Sequence, residues 1–154
     1  MSTRANIVVK DEYKARLWFY RHSDGYPGGT LNILGKFMQA VVDGKLRDNL
    51  SQSAGYLIQL GHDELVSYNL PDGYLGWKVG TIEPTTGQHG DIEFLYILDI
   101  SKKTIEARVI PYGFDTKHSR GKWIARIQFL RDESPQVTYR DPQSPAFKVE
   151  VFQD

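Results

Sequence analysis

The spacing of hydrophobic and polar residues changes twice along the chain. Apolar runs rich in β-branched and aromatic side chains at 5–10 and 15–20 predict two strands, and the short polar segment between them predicts a hairpin. After residue 61 only strand patterns recur, and they predict strands at 77–82, 92–100, 104–110, 123–129 and 147–152. The run at 92–98 is apolar on both faces for much of its length, which places it in the middle of a sheet.

Two amphipathic helices are predicted between these groups of strands. The first has Thr30 as a candidate cap and ends near Gly44, and its apolar positions recur at three- and four-residue steps: Leu31, Leu34, Met38, Val41 and Val42. The second is predicted from a cap at Asn49 or Ser51 to a stop near Gly61. Each helix has one apolar face and needs a partner layer to bury it.

The order of the elements predicts the fold class. Two strands, two helices and then about five strands favour an α+β protein in two layers, with a mostly antiparallel sheet and both helices packed on one of its faces. With 154 residues the chain suits a single domain, 1–154. The segment 132–146 contains three prolines and is predicted to be an extended loop.

Composition excludes several kinds of chemistry. The chain has no cysteine, which rules out disulfides, thiolate metal sites, thiol nucleophiles and iron–sulfur clusters. No apolar run reaches the roughly 20 residues that span a bilayer, and the first residues lack the pattern of a signal peptide. We therefore expect a soluble, cytoplasmic protein that does not bind a membrane.

Charge is unevenly distributed, although the totals balance at 19 basic and 19 acidic residues. Residues 101–131 hold eight basic and two acidic side chains. Such an excess can guide an anionic partner, or it can simply form a solvated sheet face. A ligand- or partner-binding surface is predicted from basic and aromatic residues here, in the turn-rich segment 68–77 and in the turn before the first helix: Arg21, Tyr26, Tyr74, Trp77, Arg120, Lys122, Trp123 and Arg126.

Two short polar runs are candidates for catalysis. His22 and Asp24 lie between the second strand and the first helix, where Asp24 could orient His22 as a general base. The Asp-Gly turn, the proline and the paired glycines there also suit a simple hinge between hairpin and helix. The second run holds His89, Asp91 and Glu93, at the start of the predicted central strand. If the two runs meet, they would suit acid–base hydrolysis or a divalent metal, although neither spacing matches a zinc signature.

Residues 20–27 read Tyr-Arg-His-Ser-Asp-Gly-Tyr-Pro, and residues 90–93 read Gly-Asp-Ile-Glu. Together with the Thr-Arg pair at positions 3 and 4, these runs resemble a family of small, uncharacterised phage and prophage proteins. The resemblance implies a phage-associated protein and supplies no activity, substrate or catalytic residue. A phage setting favours a protein that binds and blocks a host component, including a defence system.

These observations favour a non-enzymatic binding protein that engages a host protein or a small anionic ligand, in the host cytoplasm if a phage encodes it. The first alternative is a hydrolase or metal-dependent enzyme that uses the His/Asp/Glu cluster, or a nucleophile at Ser2 if Met1 is removed. The second alternative is nucleic-acid binding through the basic strand face, with stacking and phosphate neutralisation at 117–131. No cofactor or resident metal is predicted, and the oligomeric state stays open.

Overall fold

A computed structural model describes residues 3–47, 49–68, 80–111 and 117–143. They form two helices and seven strands: β1 (Ala5–Lys10), β2 (Arg16–Arg21), α1 (Pro27–Val42), α2 (Leu50–Ser67), β3 (Ile82–Thr85), β4 (Phe94–Asp99), β5 (Thr104–Val109), β6 (Lys122–Leu130) and β7 (Glu133–Tyr139). The predicted α+β class and the mostly antiparallel sheet are confirmed.

The seven strands form one sheet in the order β3-β2-β1-β4-β5-β6-β7. Neighbouring strands are antiparallel except β1 and β4, which run parallel and pair Ala5 with Phe94. The predicted hairpins of β1 with β2 and of β4 with β5 are both confirmed. β4 lies fourth of the seven strands, which confirms the central position expected from its apolar run.

One face of the sheet, which we call the helix face, shares a buried core with the helices. Leu31 and Phe37 of α1 and Leu57 of α2 belong to the same buried cluster as Phe19 and Tyr96 of the sheet. α1 contacts β5 and β6, whereas α2 contacts β1, β2 and β3. Burying one large apolar side chain contributes about 1.5–3 kcal/mol, so this cluster is what fixes the helices on the strands. The two-layer arrangement of the whole chain stays a prediction.

α1 begins at Pro27, before the cap predicted at Thr30. Proline suits the first turn of a helix because its fixed φ is helical and its missing N–H would have no partner there. Thr30 is buried within the first turn instead, and its hydroxyl donates to the carbonyl of Asp24 at 3.0 Å. The predicted stop is confirmed, because the helix ends at Val42 and Gly44 follows with φ 73°, which glycine adopts without strain.

α2 does not end near Gly61 as predicted but continues to Ser67. Gly61 serves close packing rather than termination, since a Cβ at this position would lie 2.9 Å from the backbone nitrogen of Ile82 in β3. The other end is as predicted. Asn49 caps α2, and its side-chain oxygen accepts a hydrogen bond from the N–H of Gln52 at 2.9 Å.

The extended loop predicted for 132–146 is wrong over Glu133–Tyr139, which form β7. Pro135 is tolerated in this strand because β7 lies at the edge of the seven-stranded sheet, with β6 as its described neighbour. Residues 144–146 and the strand predicted at 147–152 lie outside the described residues. Of the strand predicted at 77–82 only its last three residues are described, and β3 begins at Ile82.

Candidate functional site

The face of the sheet opposite the helices, which we call the loop face, carries most of the described candidate residues. Its buried apolar cluster is small and consists of Val8, Tyr20, Ile92, Leu95 and Ile110. Two connections contact it, namely 86–93 between β3 and β4 and 117–121 before β6. Polar and aromatic side chains of these connections therefore cover this face, and no described helix packs on it.

Tyr20 joins the two runs that the sequence marks as catalytic candidates. Its ring stacks on the ring of His89 with centroids 3.9 Å apart and meets His22 edge-on at 4.5 Å. Its hydroxyl donates to Oδ2 of Asp91 at 2.8 Å. Burial and this hydrogen bond raise the pKa of Tyr20 well above its ordinary value, so the phenol stays protonated at neutral pH and cannot serve as a base.

β3 and β1 hold the two histidines in place. Nε2 of His22 lies 2.6 Å from Oε1 of Glu83, and both side chains are about half exposed. Nε2 of His89 lies 2.8 Å from the hydroxyl oxygen of Thr85. The backbone N–H of His89 also donates to Oδ1 of Asn6 at 2.7 Å, which fixes the β3–β4 connection on the centre of the sheet. The histidine rings are thus parts of a packed surface.

The sequence left open whether the two polar runs meet as a five-residue acid–base cluster, and the described contacts join three of the five residues through Tyr20. Asp24 has φ 54°, and its carboxylate accepts a hydrogen bond from Tyr68 at the end of α2, 3.1 Å away. Glu93 is exposed just before β4. Within the described part of the chain no three His, Asp or Glu side chains could hold a metal ion. Tyr20 therefore brings together His22, His89 and Asp91, while the carboxylate of Asp24 contacts Tyr68 instead.

Arg21, predicted as a binding residue, is fully buried on the helix face. Its guanidinium donates to both carboxylate oxygens of Glu64 in α2, at 2.6 and 3.0 Å, and to the hydroxyl of Thr81 at 3.1 Å. Its Nε donates to the carbonyl of Asp24 at 3.1 Å. Because the group is buried and bound to three parts of the fold, we assign Arg21 a structural role in place of the predicted binding role.

Backbone packing explains the glycine in the same turn. The N–H of Gly25 donates to the carbonyl of Thr3 at 3.0 Å, and its carbonyl accepts from the buried hydroxyl of Tyr96 at 2.6 Å. A Cβ at Gly25 would lie 2.9 Å from the oxygen of Thr3, so a larger residue would push the turn away from β1. Tyr26 is exposed beside it. The hinge interpretation of this stretch is supported at Gly25.

The basic strand face is partly neutralised by one carboxylate. Glu106 accepts hydrogen bonds from Arg126 at 2.7 Å and from Arg108 at 2.5 Å. Burial alone would raise the pKa of Glu106, but the two guanidinium groups outweigh it and hold the pKa below its ordinary value. Arg126 also stacks on Trp123, with its guanidinium carbon 4.0 Å from the ring centroid. Lys122 is exposed beside this group.

A cleft of about 480 Å³, which we call the loop cleft, is lined by residues 85–90 and Lys117. Gln88 closes it towards the second connection, because its amide donates to the carbonyl of Ser119 at 2.6 Å and its oxygen accepts from Arg120. Gln88 is nearly buried. One wall of the cleft therefore comes from the β3–β4 connection. Gln88 of that wall is hydrogen-bonded to Ser119 and Arg120 of the second connection.

A pair formed by an arginine and a tryptophan lies beside this cleft. The guanidinium carbon of Arg120 lies 5.7 Å from the ring centroid of Trp18, a distance suited to a cation–π contact. Trp18 pairs with Thr85 of the cleft lining across β2 and β3. Sequence reasoning missed Trp18 and Gln88. The alternation of Trp18 with the buried Phe19 could have placed the tryptophan on the loop face, whereas nothing local indicates Gln88.

The charges around the loop cleft differ from those elsewhere on the protein. Among the described residues no carboxylate lies within ion-pair distance of Lys117 or Arg120. By contrast, Arg4, Arg108 and Arg126 each lie within 4.0 Å of an Asp or Glu. A positive charge beside a concave surface, with no described carboxylate within ion-pair distance, is suited to an anionic ligand.

No protein-family model matches the chain, and neither a curated protein nor a solved structure is significantly similar to it. The resemblance to phage and prophage proteins, which rests on residues 20–27 and 90–93, therefore stays a prediction. Two predicted contact residues, Tyr74 and Trp77, lie outside the described residues. Neither described helix is long and apolar enough to cross a membrane.

Proposed function

We propose that the chain is a non-enzymatic binding protein that holds a small anionic ligand in the loop cleft. The observation that carries this proposal is the presence of Lys117 and Arg120 beside the cleft with no described carboxylate to neutralise them. Both side chains are exposed, so a ligand can reach them without unfolding the connections.

The size and lining of the loop cleft support this function. Small ligands occupy pockets of roughly 300–1,000 Å³, and the loop cleft measures about 480 Å³. Its described lining is polar, without an acidic side chain: two threonines, two glycines, a glutamine, a histidine and Lys117. The larger cleft of about 710 Å³ near the end of α1 is lined by both signs of charge, including Asp43, Asp132 and Glu133. The charges of that lining offset one another, so an anion would be attracted more strongly to the loop cleft.

The described geometry favours binding over catalysis. Asp91 accepts a hydrogen bond from Tyr20, whose hydroxyl stays protonated, and it also lies 3.6 Å from Arg4. His22 and His89 each contact a β3 side chain. A hydrolase needs a base whose proton acceptor faces the substrate. The two histidines and Asp91 instead contact neighbouring side chains of the protein.

Two other parts of the sequence-based hypothesis have less support. Contact with a host protein depends on aromatic residues outside the described ranges, at 74 and 77. Nucleic-acid binding depends on a continuous positive face, and Glu106 offsets one of the two positive charges of Arg108 and Arg126 within it. If the chain is a phage protein, binding of a small anionic ligand in the host cytoplasm is the expected means of interfering with a host component, including a defence system.

Calorimetric titration with inorganic phosphate, pyrophosphate and citrate tests the proposal. We expect saturable binding of at least one of them by the unaltered protein and about tenfold weaker binding in Lys117→Glu and in Arg120→Ala, as expected for loss of one hydrogen bond to a charged group. Lys36→Glu is the matched control, because Lys36 lines the other cleft. Absence of binding to all three anions, or an equal loss in the control, contradicts the proposal.

A further inference from the structure

We propose that the ligand of the loop cleft is a mononucleotide-like molecule, whose planar base stacks on Arg120 above Trp18 and whose phosphate lies beside Lys117. The inference rests on the proposed function, because it identifies the chemical class of the small anionic ligand. It draws on three observations: a cation–π contact between Arg120 and Trp18, a lysine that lines the adjoining cleft, and a turn after Arg120 whose backbone position is fixed.

The pair formed by Arg120 and Trp18 provides a platform for a planar group. The guanidinium carbon of Arg120 lies over the Trp18 ring, 5.7 Å from its centroid, and the Arg120 side chain is exposed. Nucleic-acid bases stack on arginine planes as they do on aromatic rings. A base placed on the exposed guanidinium would gain such a contact, and the positive charge of Arg120 would remain close to the ligand's phosphate.

The platform is held by its neighbours before any ligand binds. Arg108 donates from Nε to the carbonyl of Arg120 at 2.6 Å and from Nη2 to the carbonyl of Gly121 at 3.1 Å. Gly121 has φ 63°, and a Cβ there would lie 2.0 Å from the carbonyl oxygen of Val109. Only glycine fits this turn, so the position of the loop is fixed by its backbone. A site prepared in this way loses little conformational freedom on binding.

Gln88 connects the platform to the phosphate side of the site. It lines the loop cleft and at the same time accepts a hydrogen bond from Arg120. Lys117, three positions before Arg120 in the same connection, also lines the cleft. A ligand with a plane at one end and an anion at the other therefore fits both parts, whereas inorganic phosphate would fit only one.

The surroundings favour a single nucleotide over a polynucleotide. A long phosphate chain needs a continuous positive track. On the loop face the track is interrupted by Glu106, which is shared by Arg108 and Arg126, and by Asp91 at the other side of Tyr20. These carboxylates reduce the positive charge beyond the cleft, so a longer phosphate chain would find no continuous positive track there.

The experiment compares probes that contain one or both parts of the ligand. Calorimetric titrations use AMP, GMP, CMP and UMP as mononucleotides, ribose 5-phosphate and inorganic phosphate as anions without a base, and a ten-residue oligothymidylate as a polynucleotide. We expect at least one mononucleotide to bind about tenfold or more tightly than ribose 5-phosphate. In Arg120→Lys, which keeps the charge and removes the plane, this preference should fall to about twofold or less while the affinity for ribose 5-phosphate is retained.

Arg126→Lys is the matched control, because Arg126 also stacks on a tryptophan but lies away from the cleft lining; it should keep the preference. If ribose 5-phosphate binds as tightly as every mononucleotide, the nucleotide inference is wrong and the proposed anion site stands. If no probe binds, both are wrong. Tighter binding of the oligothymidylate than of any mononucleotide would identify a polynucleotide site instead.

Discussion

One arginine on the helix face and one on the loop face of the same sheet have opposite surroundings. On the helix face, Arg21 is fully buried and its guanidinium donates to both oxygens of Glu64. On the loop face, Arg120 is exposed, makes a cation–π contact with Trp18 and has no described carboxylate partner. The arginine in the most unusual stretch of the sequence thus stabilises the fold, and an arginine in an ordinary loop is the better candidate for binding.

Arg21→Ala provides the strongest test of this difference. Removing one partner of a buried ion pair costs about 3–5 kcal/mol, because the other charge is left without compensation. We expect the free energy of unfolding, measured with urea, to fall by about that amount. Arg126→Ala is the matched control on the loop face, where loss of an exposed ion pair costs at most about 1 kcal/mol. Equal losses in the two variants would remove the distinction between the faces.

A smaller effect is expected from glycines that lie in one helix but face different surroundings. In α2, a Cβ at Gly61 would lie 2.9 Å from the backbone of β3, while at Gly55 it would meet nothing within 4 Å. Gly61→Ala should therefore lower the free energy of unfolding by about 1–3 kcal/mol through overpacking. Gly55→Ala should raise it by about 0.5–1 kcal/mol through helix propensity. Thermal unfolding of both variants measures this, and a stabilised Gly61→Ala would contradict the close helix–sheet contact.

The smallest effect concerns the ion-pair group of the loop face and its pH dependence. Because the folded-state pKa of Glu106 is held below its ordinary value of 4.5, the carboxylate stabilises the fold above that value, and this contribution is lost as pH falls through the folded-state pKa. At pH 7, Glu106→Gln should lower the free energy of unfolding by no more than about 1 kcal/mol. Urea titrations between pH 7 and pH 3 should show the two proteins converging at low pH. A difference that stays constant would contradict the role of the charge.

Local patterns predicted the elements well where one face of an element is buried. The three- and four-residue steps of α1, the hairpin of β1 and β2, and the cap at Asn49 all depend on neighbouring residues alone. The same alternation places Arg21 on the side of Phe19, opposite Tyr20, so its burial follows from the strand pattern. The strand pattern does not show on which of the two faces of the sheet the helices pack.

Contacts between distant segments could not be predicted in the same way. Gln88 meets Ser119 and Arg120 only because two connections fold over the same strands. The strand β7 was hidden by Pro135, which is acceptable only at a sheet edge, and the edge itself is a property of the whole topology. The site was therefore predictable in its residue types and not in its location.

The parallel pairing of β1 with β4 also has a consequence for folding during synthesis. The hairpin of β1 and β2 forms from local contacts, but the other edge of β1 must wait for β4, since Ala5 pairs with Phe94. At about 5–20 residues per second, the nascent chain leaves this apolar edge unpaired for a time on the order of seconds. An unpaired strand edge invites pairing with other chains. The first described strand to leave the ribosome, β1, is thus paired on both edges only after both helices have emerged.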